Sequence, residues 1–167
     1  MASTEFELLC EFYDALARRD YEQLRAAVHP DFMMEISDEL PWGGVRYGPD
    51  GFLAFVSDLF SSIDPVLDIG ELFDAGDLIV QIGYLAGTVI SDGTPFRARM
   101  IHIWQLRDEL IFFHRGYLDM PLMLAALEGG HGANGTLIRI ECANVPFAPE
   151  GSGGITSHAC GADTMAS

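Results

Sequence analysis

The chain has 167 residues, 49% of them hydrophobic, and a formal net charge of −16. This length and apolar content predict one domain with a sizeable core, and no apolar run is long enough to span a membrane. The acidic surface would repel the phosphates of nucleic acids and anionic lipids, so the charge argues against nucleic acid and membrane partners.

The N-terminal sequence and the cysteines indicate a cytoplasmic setting. Residues 1–12 lack the basic and apolar regions of a signal peptide. Three cysteines, Cys10, Cys142 and Cys160, are an odd number without metal-type spacing, which predicts reduced thiols with no shared role. No metal-ligand spacing, phosphate loop or nucleophile elbow occurs in the sequence, so we expect no cofactor and no metal.

Helices dominate the first part of the chain. Apolar residues at helical spacing predict helices at 3–19, 21–28 and 49–61. Asp20 is placed to cap the second helix, with Gln23 three residues later, and Pro49 suits the first turn of the third. Between them, residues 31–37 have the composition of a short strand, and residues 38–48 that of a loop rich in glycine and aromatic side chains.

Strands follow to the end of the domain. We predict them at 66–73, 78–90, 96–107 and 110–119, with a hairpin turn at 91–94 and a short closing helix at 120–127. Helices followed by an antiparallel meander indicate an α+β fold. A strongly bent sheet wrapped around a long helix would leave a cone that is open at one end.

The composition changes after the closing helix, which divides the chain into a domain over 1–128 and a tail over 129–167. The tail begins with a glycine-rich linker, and residues 136–142 have the composition of one further strand. The remaining residues are rich in Gly, Ala, Ser and Pro, which predicts poor order.

The hairpin over 96–119 carries the candidate site. A turn at Asp108 and Glu109 would pair Arg107 with Leu110, and counting outward gives each further pair. The predicted pairs are His102 with Arg115, Trp104 with Phe113, Met100 with Tyr117, and Ala98 with Asp119. Paired residues share one face of a sheet, so one aromatic face would carry three ionisable groups beside a small-molecule pocket. The alternative is a core face whose polar ends reach solvent.

Three segments resemble the SnoaL-like branch of the NTF2-like superfamily, which includes ketosteroid isomerases and polyketide cyclases. They are EFYDALARRDYEQLRAAVHPDF, RYGPDGFLAFVSDLF and HIWQLRDELIFFHRGYLDMPLMLAAL, and the likeness covers roughly residues 4–128. The resemblance implies a curved antiparallel sheet wrapped around three N-terminal helices, a ligand cavity and a homodimer. It says little about the reaction, because this fold hosts many chemistries.

The resemblance also assigns roles to single residues. Asp119 matches the general base near the end of the last long strand of SnoaL-type cyclases. His102 takes the place of the protonated aspartate in the oxyanion hole of ketosteroid isomerases, and their helix-one tyrosine falls on Phe12 or Tyr13.

Two departures from relatives bear on the reaction. The isomerases' catalytic base falls near Ile36 or Ser37, where no carboxylate stands, although Glu35 and Asp38 are adjacent. The chain is therefore nearer the cyclase pattern. Limonene-type epoxide hydrolases share the fold but use an Asp-Arg-Asp set, which His102, Arg115 and Asp119 match only in part.

These observations favour a cofactor-independent cyclase or isomerase that removes a proton α to the carbonyl of a small apolar compound. Burial would raise the pKa of Asp119 toward that of a base, and His102 would donate a hydrogen bond to the developing enolate oxygen. Predicted substrate-binding residues are Tyr13, Trp42, Tyr47, Met100, Trp104, Phe113, Arg115 and Tyr117.

Four alternatives stay open at this point. Asp119 has the sequence context of a helix N-cap, and this role alone would explain it. The same cavity could hold an apolar ligand without chemistry, or the chain could resemble an epoxide hydrolase. The outer face of the sheet, with Ile101, Ile103 and Phe112, could serve an interaction module.

Overall fold

The fold places three helices before a long antiparallel meander, as the α+β prediction requires. A computed structural model describes residues 4–130 and 157–159. The elements are α1 Thr4–Arg18, α2 Tyr21–Ala26, β1 Val28–Ile36, β2 Gly44–Tyr47, α3 Gly48–Ser62, β3 Ile63–Asp74, β4 Ile79–Val89, β5 Pro95–Arg107, β6 Leu110–Leu118, α4 Met120–Leu127 and β7 Ser157–Ala159.

The strands form one curved, unclosed sheet in the order β2-β1-β6-β5-β4-β3-β7. Neighbouring strands are antiparallel except β1 and β6, which run parallel. Both β2 and β7 are additions to the predicted set, and β7 pairs with β3 at one edge of the sheet. The predicted strand at 136–142 lies outside the described residues.

Apolar residues at helical spacing place α1 and α3 on the concave side of the sheet. The buried residues of α1 are Phe6, Leu9, Phe12, Tyr13, Ala15 and Leu16, and those of α3 are Phe52, Phe55, Val56 and Leu59. Asp20 caps α2 as predicted, since its carboxylate accepts from the amide of Gln23 at 3.0 Å. The helix is shorter than predicted because the chain enters the sheet at Val28, after the Ala27 carbonyl accepts from the Ile111 amide at 2.8 Å.

A bulge in β3 brings one carbonyl of that strand toward the concave face. Ile69 and Gly70 stand opposite the single residue Gly83 of β4, and Gly70 has a φ of +62°. A side chain at Gly83 would lie 2.0 Å from the Asp68 carbonyl oxygen. The bulge leaves the Ile69 carbonyl within reach of Gln81 on β4, a contact that matters for the site.

The predicted turn of the β5–β6 hairpin is confirmed. Asp108 and Glu109 have φ values of 52° and 61°, and Arg107 pairs with Leu110. Two successive residues with positive φ give the turn a twist that matches the twist of the flanking strands.

The register beyond the turn was predicted wrongly, because Phe112 is an extra residue in β6. Leu106 pairs with Ile111 and Gln105 with Phe113, so every later pair is shifted by one. His102 therefore pairs with Gly116 instead of Arg115, Trp104 with His114 instead of Phe113, and Met100 with Leu118 instead of Tyr117. The Asp119 amide donates to the Arg99 carbonyl at 3.0 Å, so Asp119 does not stand opposite Ala98.

One slip of register exchanges the two faces of a strand. His114, Gly116 and Leu118 follow the register of Trp104, His102 and Met100 onto the concave face. By the same alternation, Phe113, Arg115 and Tyr117 belong to the outer face, against the prediction.

Two further expectations concern the whole chain. No helix among the described residues is both long enough and apolar enough to cross a membrane. Cys10 on α1 is disulfide-bonded, so the expectation of three thiols without a shared role is wrong. The predicted cytoplasmic setting loses the support that it drew from reduced cysteines.

Candidate functional site

A cavity of about 660 Å³ lies between the concave face of the sheet, α1, α3 and the segment before β2. Its volume falls within the range of small-molecule pockets. The wall is mostly apolar and aromatic, with contributions from Phe12, Trp42, Phe52, Phe55, Met100 and Leu118. Such a wall would bind an apolar ligand and leave orientation to a few polar groups.

Four polar side chains from three elements meet at the inner end of this cavity, and we call them the inner cluster: Tyr13, Gln81, His102 and Trp104. The Tyr13 hydroxyl lies 2.8 Å from His102 Nδ1 and 3.4 Å from Gln81 Oε1, and it accepts from Trp104 Nε1 at 3.0 Å. Gln81 Nε2 donates to the Ile69 carbonyl at 2.6 Å. Each ring is thus held in place by a bond to another element.

Two arrangements of the protons in the inner cluster agree with these distances. The indole of Trp104 can only donate, so the Tyr13 oxygen accepts from it and has one proton left to give. If Tyr13 gives this proton to His102 Nδ1 at 2.8 Å, the ring proton of the neutral imidazole sits on Nε2, and the cavity that His102 lines receives a neutral N–H donor. If Nδ1 instead donates to Tyr13, the Tyr13 proton goes to Gln81 Oε1 at 3.4 Å and Nε2 is an acceptor.

Burial keeps the inner end of the cavity uncharged. Loss of hydration lowers the pKa of His102 from 6.5 to about 3. It also raises the pKa of the Tyr13 hydroxyl far above 10, although the hydrogen bond from Trp104 acts in the opposite direction. His102 is only half-buried, and the cavity is where its remaining surface lies.

A second imidazole, His114, stands beside His102 in the cavity wall. Its ring stacks on Trp104 with centroids 4.0 Å apart and meets His102 edge-on at 4.7 Å. The side chain is only 2% exposed, and in the described part of the chain neither ring nitrogen has a hydrogen-bond partner. Burial, with a smaller contribution from His102, lowers the pKa of His114 well below 6.5.

Sequence reasoning missed two members of this site for different reasons. The predicted register, which lacks the bulge at Phe112, places His114 on the outer face of the sheet. Gln81 stands between Ile79 and Gly83 on the inward positions of a nearly uncharged strand. A lone polar residue on an apolar face is a signal that could have identified it.

The opposite end of the cavity is charged and open to solvent. Arg115 Nε donates to Glu35 Oε2 at 3.0 Å, and we call these two residues the rim pair. Asp38 also contributes to the lining and is exposed. Arg115 and Tyr117 border the cavity at this rim, while the register of β6 assigns their side chains to the outer face.

The predicted pair of Asp119 and His102 is not brought together. The Asp119 carboxylate is exposed and accepts from the Leu122 amide at 3.4 Å as the N-cap of α4. Tyr47 is 69% exposed at the start of α3, whereas Trp42 is 3% exposed and lines the cavity. The predicted residues that do border the cavity are Tyr13, Trp42, Met100, His102, Trp104, Arg115 and Tyr117; Phe113, Tyr47 and Asp119 lie elsewhere.

No group of three or more His, Cys, Asp or Glu side chains within residues 4–130 and 157–159 is arranged to hold a metal ion. The two imidazoles of the cavity, His102 and His114, lie with their ring centroids 4.7 Å apart. Their neutral forms remain available as hydrogen-bond donors and acceptors.

Comparison with protein families gives one match, in which residues 10–114 fit the model of a SnoaL-like domain. Comparison with curated protein sequences gives no match. The match covers most of α1, all of α2 and α3, the strands β1 to β5 and the inner cluster, and it agrees with the predicted resemblance.

Many solved structures share the fold. An NTF2-like protein of unknown function from Burkholderia pseudomallei has a TM-score of 0.69 at 24% identity, covering 75% of this chain and 98% of that protein. TerC co-crystallized with polyporic acid has a TM-score of 0.69 at 22% identity, covering 75% and 99%. IdmH from Streptomyces antibioticus, described as a candidate polyketide cyclase, has a TM-score of 0.62 at 25% identity, covering 74% and 98%.

Proposed function

The chain belongs to the SnoaL-like domain family, and on that premise we propose that it is a cofactor-independent cyclase or isomerase. Its substrate in this proposal is a small apolar carbonyl compound, which loses a proton from the carbon next to the carbonyl. The similarity to IdmH, a candidate polyketide cyclase, supports this class of reaction. The choice of reaction rests on the site itself, since fold alone does not imply function.

One observation carries the proposal: the imidazole of His102 borders an apolar cavity and is immobilised by Tyr13, which lies 2.8 Å from Nδ1. In this proposal Tyr13 donates to Nδ1, so Nε2 carries the ring proton and its N–H has a fixed direction. A carbonyl oxygen that accepts this bond gains negative charge as the α proton leaves. A prearranged donor in a water-poor site stabilises such charge without reorganising.

The reaction also needs a proton acceptor, and in this proposal it is the Asp38 carboxylate. Asp38 borders the cavity, and no ion pair involves it among the described residues. Glu35 is bonded to Arg115, and Asp119 caps α4. The α C–H bond breaks, its proton goes to Asp38, and its electron pair forms the enolate. The enolate then takes the proton back at another carbon, or its carbon attacks a second carbonyl of the same molecule, and the oxygen of that carbonyl takes the proton from Asp38.

Exchange of α protons for deuterium tests the proposal without the natural substrate. We expect the protein to accelerate exchange of 2-tetralone, an apolar ketone, in D2O, as followed by proton NMR. Asp38→Asn should lower the rate by about 10²–10⁴-fold, as expected for loss of a general base. His102→Phe should lower it by roughly 10²-fold, as expected for loss of one oxyanion donor.

Two matched variants control this experiment. Glu39→Gln changes the neighbouring exposed carboxylate, and Asp119→Asn changes the helix cap. Both should retain the rate of the unaltered protein. No acceleration of 2-tetralone or related apolar ketones over buffer would reject enolisation, and a large loss in Asp119→Asn would return the role of base to Asp119.

A second candidate is a protein that binds an apolar ligand without chemistry. It is favoured by one observation: the carboxylates on the cavity lining, Glu35 and Asp38, stand at the rim, and the inner end is uncharged. Saturable binding of apolar ketones without α exchange would support this candidate.

The predicted homodimer stays a prediction. Exposed apolar side chains on the sheet, among them Val45, Ile82 and Tyr117, would serve such an interface. Light scattering at several protein concentrations would test it, and a monomer throughout would reject it.

A further inference from the structure

Glycine interrupts the described strands at four interior positions, and three of them are explained by the backbone. Gly70 and Gly87 have φ values of 62° and 142°, which side chains rarely allow. Gly83 has no room, because a side chain would lie 2.0 Å from the Asp68 carbonyl oxygen. Gly116 differs from all three, since its φ lies outside the left-handed region and its nearest neighbours are side-chain atoms.

The position above Gly116 is small and faces the cavity. A Cβ atom there would lie 3.3 Å from Ile36 Cγ1, 3.4 Å from His114 Cε1 and 3.5 Å from His102 Cδ2. The contacts are tight but involve side-chain atoms, so an added Cβ needs a small shift of these neighbours, and the backbone conformation does not require glycine. A glycine inside a strand loses packing and adds entropy cost, and it often marks the close approach of a ligand.

Each imidazole directs toward this position a carbon atom that is bonded to a ring nitrogen. His102 Cδ2 is bonded to Nε2, the nitrogen that donates in the proposed function. His114 Cε1 lies between the two nitrogens of its own ring. A Cβ atom at position 116 would therefore lie next to a carbon that adjoins a ring nitrogen in each imidazole.

A flip of the His114 ring would place a nitrogen at this position without the loss of a hydrogen bond, whereas a flip of the His102 ring would break one. A 180° flip of an imidazole exchanges Cε1 with Nε2 in almost the same volume. His102 would lose its 2.8 Å bond to Tyr13 in such a flip. His114 would lose none, because in the described part of the chain neither of its nitrogens is hydrogen-bonded.

We propose that the space over Gly116 is a subsite for one substrate oxygen, held between His102 and His114. The oxygen belongs to a ketone, enol or phenol on a rigid apolar body. His102 donates to it through Nε2, and His114 accepts from it or donates to it according to its tautomer. Gly116 determines specificity, because any side chain would occupy the place of the oxygen. The inference deepens the proposed function and rests on it only where this oxygen becomes an enolate.

Two probes that differ by one oxygen test the subsite by binding alone. We expect 2-naphthol to bind about tenfold more tightly than naphthalene, the value of roughly one buried hydrogen bond. In Gly116→Ala this preference should fall below twofold, because the added methyl group displaces the oxygen. Gly51→Ala is the matched control, since its added methyl group also has 3.4 Å contacts but lies on α3 outside the cavity lining.

A second variant keeps the proposal testable if Gly116→Ala does not fold. His114→Phe retains a ring of similar shape and removes both nitrogens. We expect it to bind naphthalene as before and to lower the preference for 2-naphthol about threefold. In the unaltered protein, the nitrogen-15 chemical shifts of the two imidazoles should also change on addition of 2-naphthol and remain unchanged with naphthalene.

The outcomes separate this inference from the proposed function. Equal affinity for the two probes, no binding of either, or a full preference in Gly116→Ala would overturn the subsite. A preference that Gly116→Ala abolishes, together with no exchange of 2-tetralone, would retain the subsite and reject the cyclase or isomerase.

Discussion

The inner cluster and the rim pair border the same cavity, but the inner cluster is buried and the rim pair is exposed to solvent. Tyr13 and Trp104 are 4% and 2% exposed, and their cluster is uncharged. The side chains of Arg115 and Glu35 are 41% and 46% exposed, and their bond joins full charges. Water can replace a lost partner at the rim, whereas the side chains of Tyr13, Gln81 and Trp104 are buried and shielded from water.

The comparison shows that the strength of a single bond does not determine how much its loss lowers the free energy of unfolding. An exposed ion pair loses most of its advantage to solvent and to salt. A neutral hydrogen bond between buried groups contributes modestly, yet leaving its partner unsatisfied is expensive. The weaker bonds of the inner cluster should therefore matter more for folding than the stronger bond of the rim pair.

Acidic pH should have the largest effect, because the unfolded chain binds protons that the buried imidazoles of the folded protein do not bind. Burial lowers the pKa of His102 to about 3 and that of His114 well below 6.5. The unfolded chain takes up these protons near pH 6.5, so stability is complete above that value and is lost as the pH falls toward 3. Between pH 7 and pH 5, His102 should lower the free energy of unfolding by about 2 kcal/mol, and His114 should lower it further.

Urea unfolding at several pH values measures this loss. His114→Leu removes one of the two groups and should reduce the dependence of the free energy of unfolding on pH between 7 and 5. A free energy of unfolding that stays constant over this range would show that the two imidazoles are not held neutral by the fold.

Removal of one hydroxyl group should have the next largest effect. Tyr13→Phe leaves the Trp104 indole N–H without its acceptor and His102 Nδ1 without its hydrogen-bond partner. Two buried unsatisfied groups should lower the free energy of unfolding by about 3 kcal/mol. Tyr47→Phe removes the same group at a side chain that is 69% exposed and should have no measurable effect. Equal effects of the two variants would contradict the contrast between buried and exposed bonds.

The fold could be predicted because its signals are local and repeated. Helical spacing identified α1 and α3, and the turn at Asp108 and Glu109 fixed the start of the last hairpin. The inward face of β5 was also correct, since Met100, His102 and Trp104 alternate without interruption.

The site was predicted only in part. The sequence reveals neither the bulge in β6 nor which of two neighbouring aromatic residues of α1 reaches His102. Ile111, Phe112 and Phe113 are three apolar strand formers in a row, and their pattern does not indicate which is the extra residue. Phe12 and Tyr13 both lie on the buried stripe of α1, and periodicity does not tell which of them reaches His102. Both questions depend on contacts far apart in the chain.

The smallest expected effect is at the rim pair. Glu35→Gln and Arg115→Met should leave the urea midpoint unchanged within experimental error, because both side chains are more than one third exposed. The stabilities of the same variants can also be compared in 1 M salt, which screens exposed charges that are more than about 3 Å apart. High salt should abolish any remaining difference between Glu35→Gln and the unaltered protein, and it should not reduce the loss in Tyr13→Phe, since that loss involves no net charge. A deficit in Tyr13→Phe that disappears in 1 M salt would mean that the inner cluster acts through charge, and its neutral hydrogen bonds would then not explain how His102 is held.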